Sequence, residues 1–264
     1  MKMPKKSLGQ NFLQDKEVLE KIIEAGDIKK SDKILEIGSG EGVLTKRLAG
    51  EAGVVLALEK DEALAESLRR NNYFKNVEIL IGDVLDINLP KLLKRKDFHN
   101  YKLIANIPYY ITGKIFRLFL ETSAQPDLLV LLVQKEVAER VCAKPGKMNL
   151  LATAVQYFGK PEIISQVSRE SFYPRPEVDS AILKISPRGK YRYKNEKKEK
   201  NFLQLVRIGF SSPRKTLINN LKAGFSLERE ELEKIFEKLN LPKDVRAQNL
   251  KIEDWQNLEK EIYI

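Results

Sequence analysis

The feature that most limits what this chain can become is the alternation, over its first two thirds, of short apolar β-type runs with amphipathic helical runs. Strands joined through helices run parallel, and a parallel sheet must be covered on both faces, so the pattern argues for a layered α/β core. Apolar runs place strands near Lys33–Ile37, Val54–Leu58, Val77–Ile81, Lys102–Ala105, Asp127–Val133, Ile163–Val167 and Ala181–Ile185. Apolar spacing of three and four places helices at about Lys16–Ala25, Val43–Ala49, Glu62–Asn71, Lys114–Glu121, Lys135–Ala143 and Leu150–Phe158. Only SRESFYPRPEVDS separates the last two strands, with no helix, which predicts an antiparallel strand at the sheet edge.

The polar, basic and turn-rich segment Ser186–Lys200 is the best linker. Helical spacing follows it at Asn201–Phe210, Pro213–Ala223, Leu227–Leu239 and Ile252–Tyr263, with Pro242 between the last two. The expected organisation is a domain over 1–186 and a small all-helical domain over 187–264.

A chain of 264 residues can bury one large core plus a small satellite. No stretch has the apolar length of a membrane span, and MKMPKKSLGQNFL lacks the apolar centre of a signal peptide, so a cytoplasmic protein is expected. Cys142 is the only cysteine and His99 the only histidine, which excludes a disulfide framework and a Cys/His metal cluster and disfavours Ser-His-Asp catalysis. No metal site is expected. Lys and Arg number 47 against 37 acidic residues, a formal net charge of +10 that suits a polyanionic partner, although a Lys/Glu-rich surface alone also serves solubility. Two basic stretches stand out: KLLKRK at Lys91–Lys96, and Arg188–Lys200 with Tyr191 and Tyr193 interleaved, readable as an RNA contact or as a solvated linker.

The first strand runs into ILEIGSGEGVLTKRL, with glycines at 38, 40 and 42. A glycine-rich turn between strand and helix lets a ligand approach the backbone and points N–H groups at it. A dinucleotide fingerprint wants its third glycine at position 43, which is valine here. Glu36 precedes the loop, Glu59 closes the second strand, and Asp83 closes the third. An acid at the end of the second strand is placed to accept both ribose hydroxyls, and Asp83 to accept from an adenine amine. Each acid alone reads equally well as a strand-end or helix-cap residue. Together they suit S-adenosylmethionine better than NAD, because S-adenosylmethionine has a ribose and an adenine but no pyrophosphate.

The fourth strand ends in Asn106, Ile107, Pro108 and Tyr109. These supply an amide carbonyl, a backbone carbonyl, a rigid bend and an aromatic face, the parts needed to methylate an amine on a flat heterocycle. Positive charge develops on such an amine during transfer, and acceptors aimed at it stabilise charge that grows only in the transition state. A strand running into an X-Pro turn with a packed tyrosine is the plainer reading of the tetrapeptide by itself.

With the cofactor residues beside it, the chain resembles a Rossmann-like seven-stranded S-adenosylmethionine-dependent methyltransferase, and specifically the rRNA adenine N(6),N(6)-dimethyltransferase family. The resemblance is carried in order by KSLGQNFL (Lys6–Leu13), EIGSGEGVLT, NIPYYIT, LLVQKEVAERV (Leu131–Val141), FYPRPEVDSAI (Phe172–Ile182), FSSPRKTLINNL (Phe210–Leu221) and RAQNLKIEDW (Arg246–Trp255). It implies that Asn11, Leu13, Gly38, Gly40, Glu59, Asp83 and Asn106 touch S-adenosylmethionine. It implies catalytic roles for Asn106, Ile107, Pro108 and Tyr109, with Phe172 on the far side of the base from Tyr109. Phe172 also reads as a core residue of an edge strand. The implied substrate is a pair of adjacent adenines in the hairpin near the 3′ end of small-subunit rRNA, and the implied partner is that rRNA or an immature small ribosomal subunit, met by a monomeric enzyme with a part in ribosome biogenesis. Three other readings stay open: a large-subunit rRNA adenine methyltransferase of the macrolide-resistance type, an RNA-binding assembly factor with dispensable catalysis, and, disfavoured by Val43 and the Asn-Ile-Pro-Tyr turn, a dehydrogenase.

Overall fold

The computed structural model describes residue 5 and residues 8–71, 74–188 and 196–263. Lys6 of the first family-like block, and Tyr191 and Tyr193 with the rest of 189–195 in the basic linker, lie outside the described residues. Two compact units divide the chain, Met1–Ala138 with Gly159–Lys190, and Glu139–Phe158 with Tyr191–Ile264. The division differs from a simple cut after residue 186, because 139–158 belongs to the second, helical unit.

The first unit holds β1 (Phe12–Leu13), α1 (Lys16–Gly26), β2 (Lys33–Ile37), α2 (Val43–Glu51), β3 (Val54–Glu59), α3 (Glu62–Arg70), β4 (Val77–Ile81), α4 (Leu89–Arg95), β5 (Lys102–Asn106), α5 (Thr112–Leu120) and β6 (Leu128–Gln134). α6 (Lys135–Val141) and α7 (Leu150–Phe158) follow, then β7 (Gly159–Val167), β8 (Phe172–Tyr173) and β9 (Ser180–Pro187). The seven-stranded sheet has the order β4-β3-β2-β5-β6-β9-β7. The strands β4, β3, β2, β5 and β6 pair in parallel with one another in that order, and β9 is antiparallel to both β6 and β7. The antiparallel strand is therefore internal rather than at the edge: the chain leaves β6, reaches the edge as β7, and the connection 168–179 brings β9 back into the space between them. From β2 the chain winds outward through β3 and β4, then returns to the other side of β2 as β5. The carboxyl ends of β2 and β5 thus flank the topological switch point, where open α/β sheets bind ligands.

Burial follows the residue pattern. The interior strand β6, LLVLLVQ, is buried at every position before Gln134, as a strand covered on both faces must be. α1 starts at Asp15, whose carboxylate accepts from the Glu17 and Val18 N–H groups, and turns Val18, Leu19, Ile22 and Ile23 inward. These pack with Leu13, Ile34, Leu48, Val55, Ile104, Val130, Leu132, Phe172 and Ile182 in one core. Three elements escape the sequence pattern: β1, β8 and α4. β1 and β8 are two residues each, too short for any periodicity to register. KLLKRK lies largely within α4, whose Leu89, Leu92 and Leu93 are buried. Lys96, after α4, pairs with Glu78 near the start of β4, so the end of that basic run lies toward the amino ends of the strands, not at the ligand edge.

In the second unit, α7, α8 (Glu196–Gly209), α9 (Leu217–Gly224), α10 (Arg229–Lys238) and α11 (Ile252–Ile262) pack through aromatic contacts. Tyr157 stacks on Phe202 with ring centroids 3.7 Å apart, and Phe210 on Trp255 at 5.6 Å. Trp255 is fully buried and lies so close to Gly209 that a Cβ there would stand 2.3 Å from its ring.

Candidate active site

One cavity opens at the switch point, with about 1050 Å³ of atom-free space including its mouth. That is room for a nucleoside-sized ligand and more. Asn11, Leu13, Gly38, Gly40, Glu59, Asp83, Asn106, Ile107, Pro108 and Tyr109 all line it. Phe172 does not: it is 4 % exposed, opposite Leu13 in the β1–β8 ribbon, and its ring belongs to the hydrophobic core.

The floor is the turn after β2. Gly38 has φ 74°, a left-handed conformation that strains any residue with a Cβ, and a Cβ there would stand in ordinary contact, 3.5 Å, with the Asn106 carbonyl oxygen at the end of β5. Glu59 ends β3 beside it. Its Oε2 accepts from the Gly40 N–H and its Oε1 from the Asp61 N–H, both at 2.8 Å. Burial raises the Glu59 pKa, and those two N–H groups oppose the rise. Each oxygen keeps a second lone pair for a ligand hydroxyl. Asp83 sits after β4, where Lys60 Nζ donates to it at 2.8 Å and the Leu85 N–H at 2.9 Å. Its burial would raise its pKa, but the ammonium and the N–H outweigh that and hold it below the usual carboxylate range. It is an ionised acceptor at neutral pH.

Glu36, on β2, also lines the cavity and is 1 % exposed. Its Oε2 makes no hydrogen bond. Burial pushes its pKa up to about 8; the Thr45 hydroxyl pulls the other way and the Glu59 carboxyl adds to the rise. A buried acid with an unpartnered oxygen facing a cavity fits a cationic ligand, and the sulfonium and ammonium of S-adenosylmethionine are such groups. Glu36, Glu59 and Asp83 thus fit the donors and charges of that molecule.

The reactive wall is the turn after β5. Asn106 Nδ2 donates to the Asn11 carbonyl at 3.1 Å, which commits the N–H side of the amide to the N-terminal segment and leaves Oδ1 as the atom available to an incoming donor. Pro108, at φ −58° and ψ 134°, turns the chain out of β5 into a tight helical turn over Tyr109–Ile111. The Tyr109 hydroxyl is 2.6 Å from Ser180 Oγ at the start of β9, which fixes the ring at the cavity wall.

The N-terminal segment forms the adjoining wall, and sequence reasoning missed how it is held. Gln10 Nε2 donates to Asp61 Oδ2 at 3.2 Å, Lys5 Nζ pairs with the same oxygen at 2.9 Å, and Gln10 Oε1 accepts from the Lys5 N–H at 2.7 Å. Asp61 also caps α3. The Phe12 ring lies over Gly40, 3.2 Å from where a Cβ would be. Gln10 and Phe12 stand in the same KSLGQNFL block as Asn11 and Leu13, which is the one signal that pointed to them. Among the described residues no His/Cys/Asp/Glu group is arranged to hold a metal, and no helix is long and apolar enough to cross a membrane.

Fold and cavity together define a Rossmann-like methyltransferase. The family model described as ribosomal RNA adenine dimethylase matches residues 1–263, and the chain belongs to that family. It is 39 % identical over 256 residues to the ribosomal RNA small subunit methyltransferase A of Dehalococcoides mccartyi, covering 96 % of this chain and 87 % of that protein. The protein of the same name from Fusobacterium nucleatum is 38 % identical, over 97 % of this chain and 96 % of its own. Among solved structures, a dimethyladenosine transferase from Plasmodium falciparum superposes with a TM-score of 0.80 at 29 % identity, over 94 % of this chain and 95 % of that one. The 23S rRNA methyltransferase ErmE superposes at 0.77 with 25 % identity, over 96 % and 100 %.

Proposed function

We propose that this chain uses S-adenosylmethionine to dimethylate the exocyclic amine of two adjacent adenines in the 3′-terminal hairpin of small-subunit rRNA, acting in the cytoplasm as a monomer during small-subunit biogenesis. The observation that carries the reading is the orientation of Asn106: one amide N–H is held by the Asn11 carbonyl, and its oxygen is the acceptor for the amine. When bound, S-adenosylmethionine supplies an electrophilic methyl on a cationic sulfur.

The residues of this chain do the rest. Glu59 accepts the ribose hydroxyls, Asp83 the cofactor's adenine amine, and Glu36 faces the cationic end. The adenine leaves its helix or loop and lays its face on Tyr109, which the Ser180 contact holds still. Asn106 Oδ1 and the Ile107 carbonyl accept from the amine, orienting its lone pair toward the methyl and stabilising the charge that grows on nitrogen. No side chain need remove a proton, since a methylated ammonium on an aromatic ring is strongly acidic and releases it to water. Pro108 keeps the two acceptors in register. Phe172 backs Leu13, a cavity-lining residue, from the core side.

Residues 187–264 are proposed as the rRNA-binding domain. Arg214 and Lys215 are exposed in the loop before α9, and Asn220 Nδ2 braces that loop by donating to the Gly209 carbonyl at 2.6 Å and the Ser212 carbonyl at 3.1 Å. Such a surface reads shape and phosphates. The large-subunit reading has the ErmE resemblance behind it, but the curated relatives at 38–39 % identity carry the small-subunit name. Labelled methyl transfer to unmethylated small and large ribosomal subunits, with the product nucleoside identified, separates the two. Dimethyladenosine in small subunits only is expected, and Asn106→Ala is expected to lose at least 100-fold in rate. Near-normal transfer by that variant would remove Asn106 from the mechanism.

A further inference from the structure

We propose that Tyr173 is a stacking platform for the base adjacent to the one held in the cavity, and so a second nucleotide subsite. The inference rests on the RNA methyl-transfer reading above. In the β1–β8 ribbon, Phe12 pairs with Tyr173 and Leu13 with Phe172. Residues directly opposite one another in an antiparallel pair share a face, at Cα separations of about 4.5–5.5 Å. Leu13 and Phe172 take the core face, at 6 % and 4 % exposure. Phe12 takes the other and covers Gly40 at the cavity. Tyr173 therefore lies beside Phe12 on the cavity side of the ribbon, yet the residue stays 49 % exposed.

Three large aromatic residues are exposed among the described residues: Phe74, Tyr110 and Tyr173. Phe74 precedes β4, at the amino ends of the strands. The Tyr110 ring already rests on Gly9, with Cδ1 and Cε1 3.2 and 3.3 Å from where a Cβ would stand. Of the three, Tyr173 is the one paired with a cavity-lining residue of the ribbon, Phe12. Its hydroxyl has no hydrogen-bond partner among the described residues. Two arginines, Arg169 and Arg175, stand near it in sequence within the same connection. Arg175 pairs with Glu170, and Arg169 Nη1 donates to the Glu177 carbonyl at 3.1 Å. Both side chains are exposed, and each guanidinium has more N–H donors than those contacts use. An aromatic face with phosphate donors beside it is how proteins hold unpaired nucleotides. Extruding a base into the cavity unstacks its neighbour, and a platform one strand away from the cavity wall replaces the lost stacking.

The test measures methyl transfer to unmethylated small subunits by wild type and by Tyr173→Ala, Tyr173→Leu, Tyr173→Phe and Tyr173→Trp, with S-adenosylmethionine affinity by calorimetry as a second readout. Ala and Leu should raise KM for subunits roughly tenfold. Phe and Trp should restore it, with cofactor affinity unchanged in all. Subunits reconstituted with rRNA lacking the base on one or the other side of the target should show the same tenfold penalty with wild type at one of the two positions, and none beyond its own defect with Tyr173→Ala. Wild-type KM in the Ala and Leu variants, or an equal penalty from the missing base in wild type and Ala variant, would overturn the subsite. If wild type transferred methyl to neither subunit, the proposed function would fall and this subsite with it. The missing-base arm with wild type alone stays decisive if a variant fails to fold.

Discussion

Replacing Glu36 by glutamine should make the empty protein more stable while weakening its hold on a cationic ligand. Glu36 is 1 % exposed with one oxygen unpartnered, and its pKa rises from 4.5 to about 8 in the fold. Because the folded value lies above the unfolded one, the folded chain binds more protons than the unfolded chain between those two pH values, and stability falls as pH rises through that window. Below pH 4.5 both states are protonated and the residue contributes no difference. At pH 7 the fold keeps a proton that the unfolded chain has released, at a cost of about 3 kcal/mol, and above pH 8 the cost levels off at about 5 kcal/mol. Glutamine copies the neutral acid in shape and avoids the cost. Thermal unfolding of Glu36→Gln against wild type, followed from pH 4 to pH 8.5, should show a gap in Tm that is near zero at the acid end and widens with pH, by roughly 2–4 °C for each kcal/mol. Calorimetry should show weaker binding of S-adenosylmethionine to the variant, and proton release on binding only in wild type. A Tm gap independent of pH would refute the reasoning, since it would mean that Glu36 gains or loses no proton on folding.

Removing the Gln10 side chain (Gln10→Ala) deletes its 3.2 Å bond to Asp61 while leaving Lys5 on that carboxylate, so cofactor affinity should fall about 3- to 10-fold with little change in Tm, and unchanged affinity by calorimetry would rule out a holding role. Tyr109→Phe keeps the ring but deletes the 2.6 Å contact to the buried Ser180, costing about 1 kcal/mol in chemical denaturation while methyl transfer stays within a few-fold; Tyr109→Ala should lose roughly 5- to 100-fold, and equal rates in the two variants would exclude stacking. In the helical unit, Gly209→Ala forces a Cβ to within 2.3 Å of the Trp255 ring, and should destabilise by about 1–3 kcal/mol in urea titration; a neutral result would mean that α8 and α11 can slide apart there.

Strands β2 through β6 were legible because each is an apolar run bounded by amphipathic helices, and the local pattern carries that information. Both limits of β2 and β4 and all of α7 fall where hydrophobic spacing puts them. The interleaving of β9 between β6 and β7 was not legible, since nothing within SRESFYPRPEVDS says which neighbour the returning strand will choose. The β1–β8 ribbon was invisible for the opposite reason: two residues have no period. Charge dominates the KLLKRK run, although Leu89, Leu92 and Leu93 together have helical spacing and bury one face of α4.

The site divides along the same line. The sequence by itself determined the chemical parts: a glycine turn after a strand, acids at successive strand ends, and an amide, proline and tyrosine together, because backbone geometry, charge and hydrogen-bonding capacity belong to residue types. The tertiary structure decided which parts meet and in what state. Only the switch between β2 and β5 brings Gly38 against the Asn106 carbonyl, only the contact with Asn11 turns the Asn106 oxygen outward, and only burial leaves Glu36 protonated near neutral pH. It also decided that Phe172 faces the core and Tyr173 the solvent, since alternation along a strand fixes two faces and pairing with Phe12–Leu13 fixes which is which. Orientation, pairing and dielectric environment depend on residues distant in the chain, and they exist only once the chain has folded.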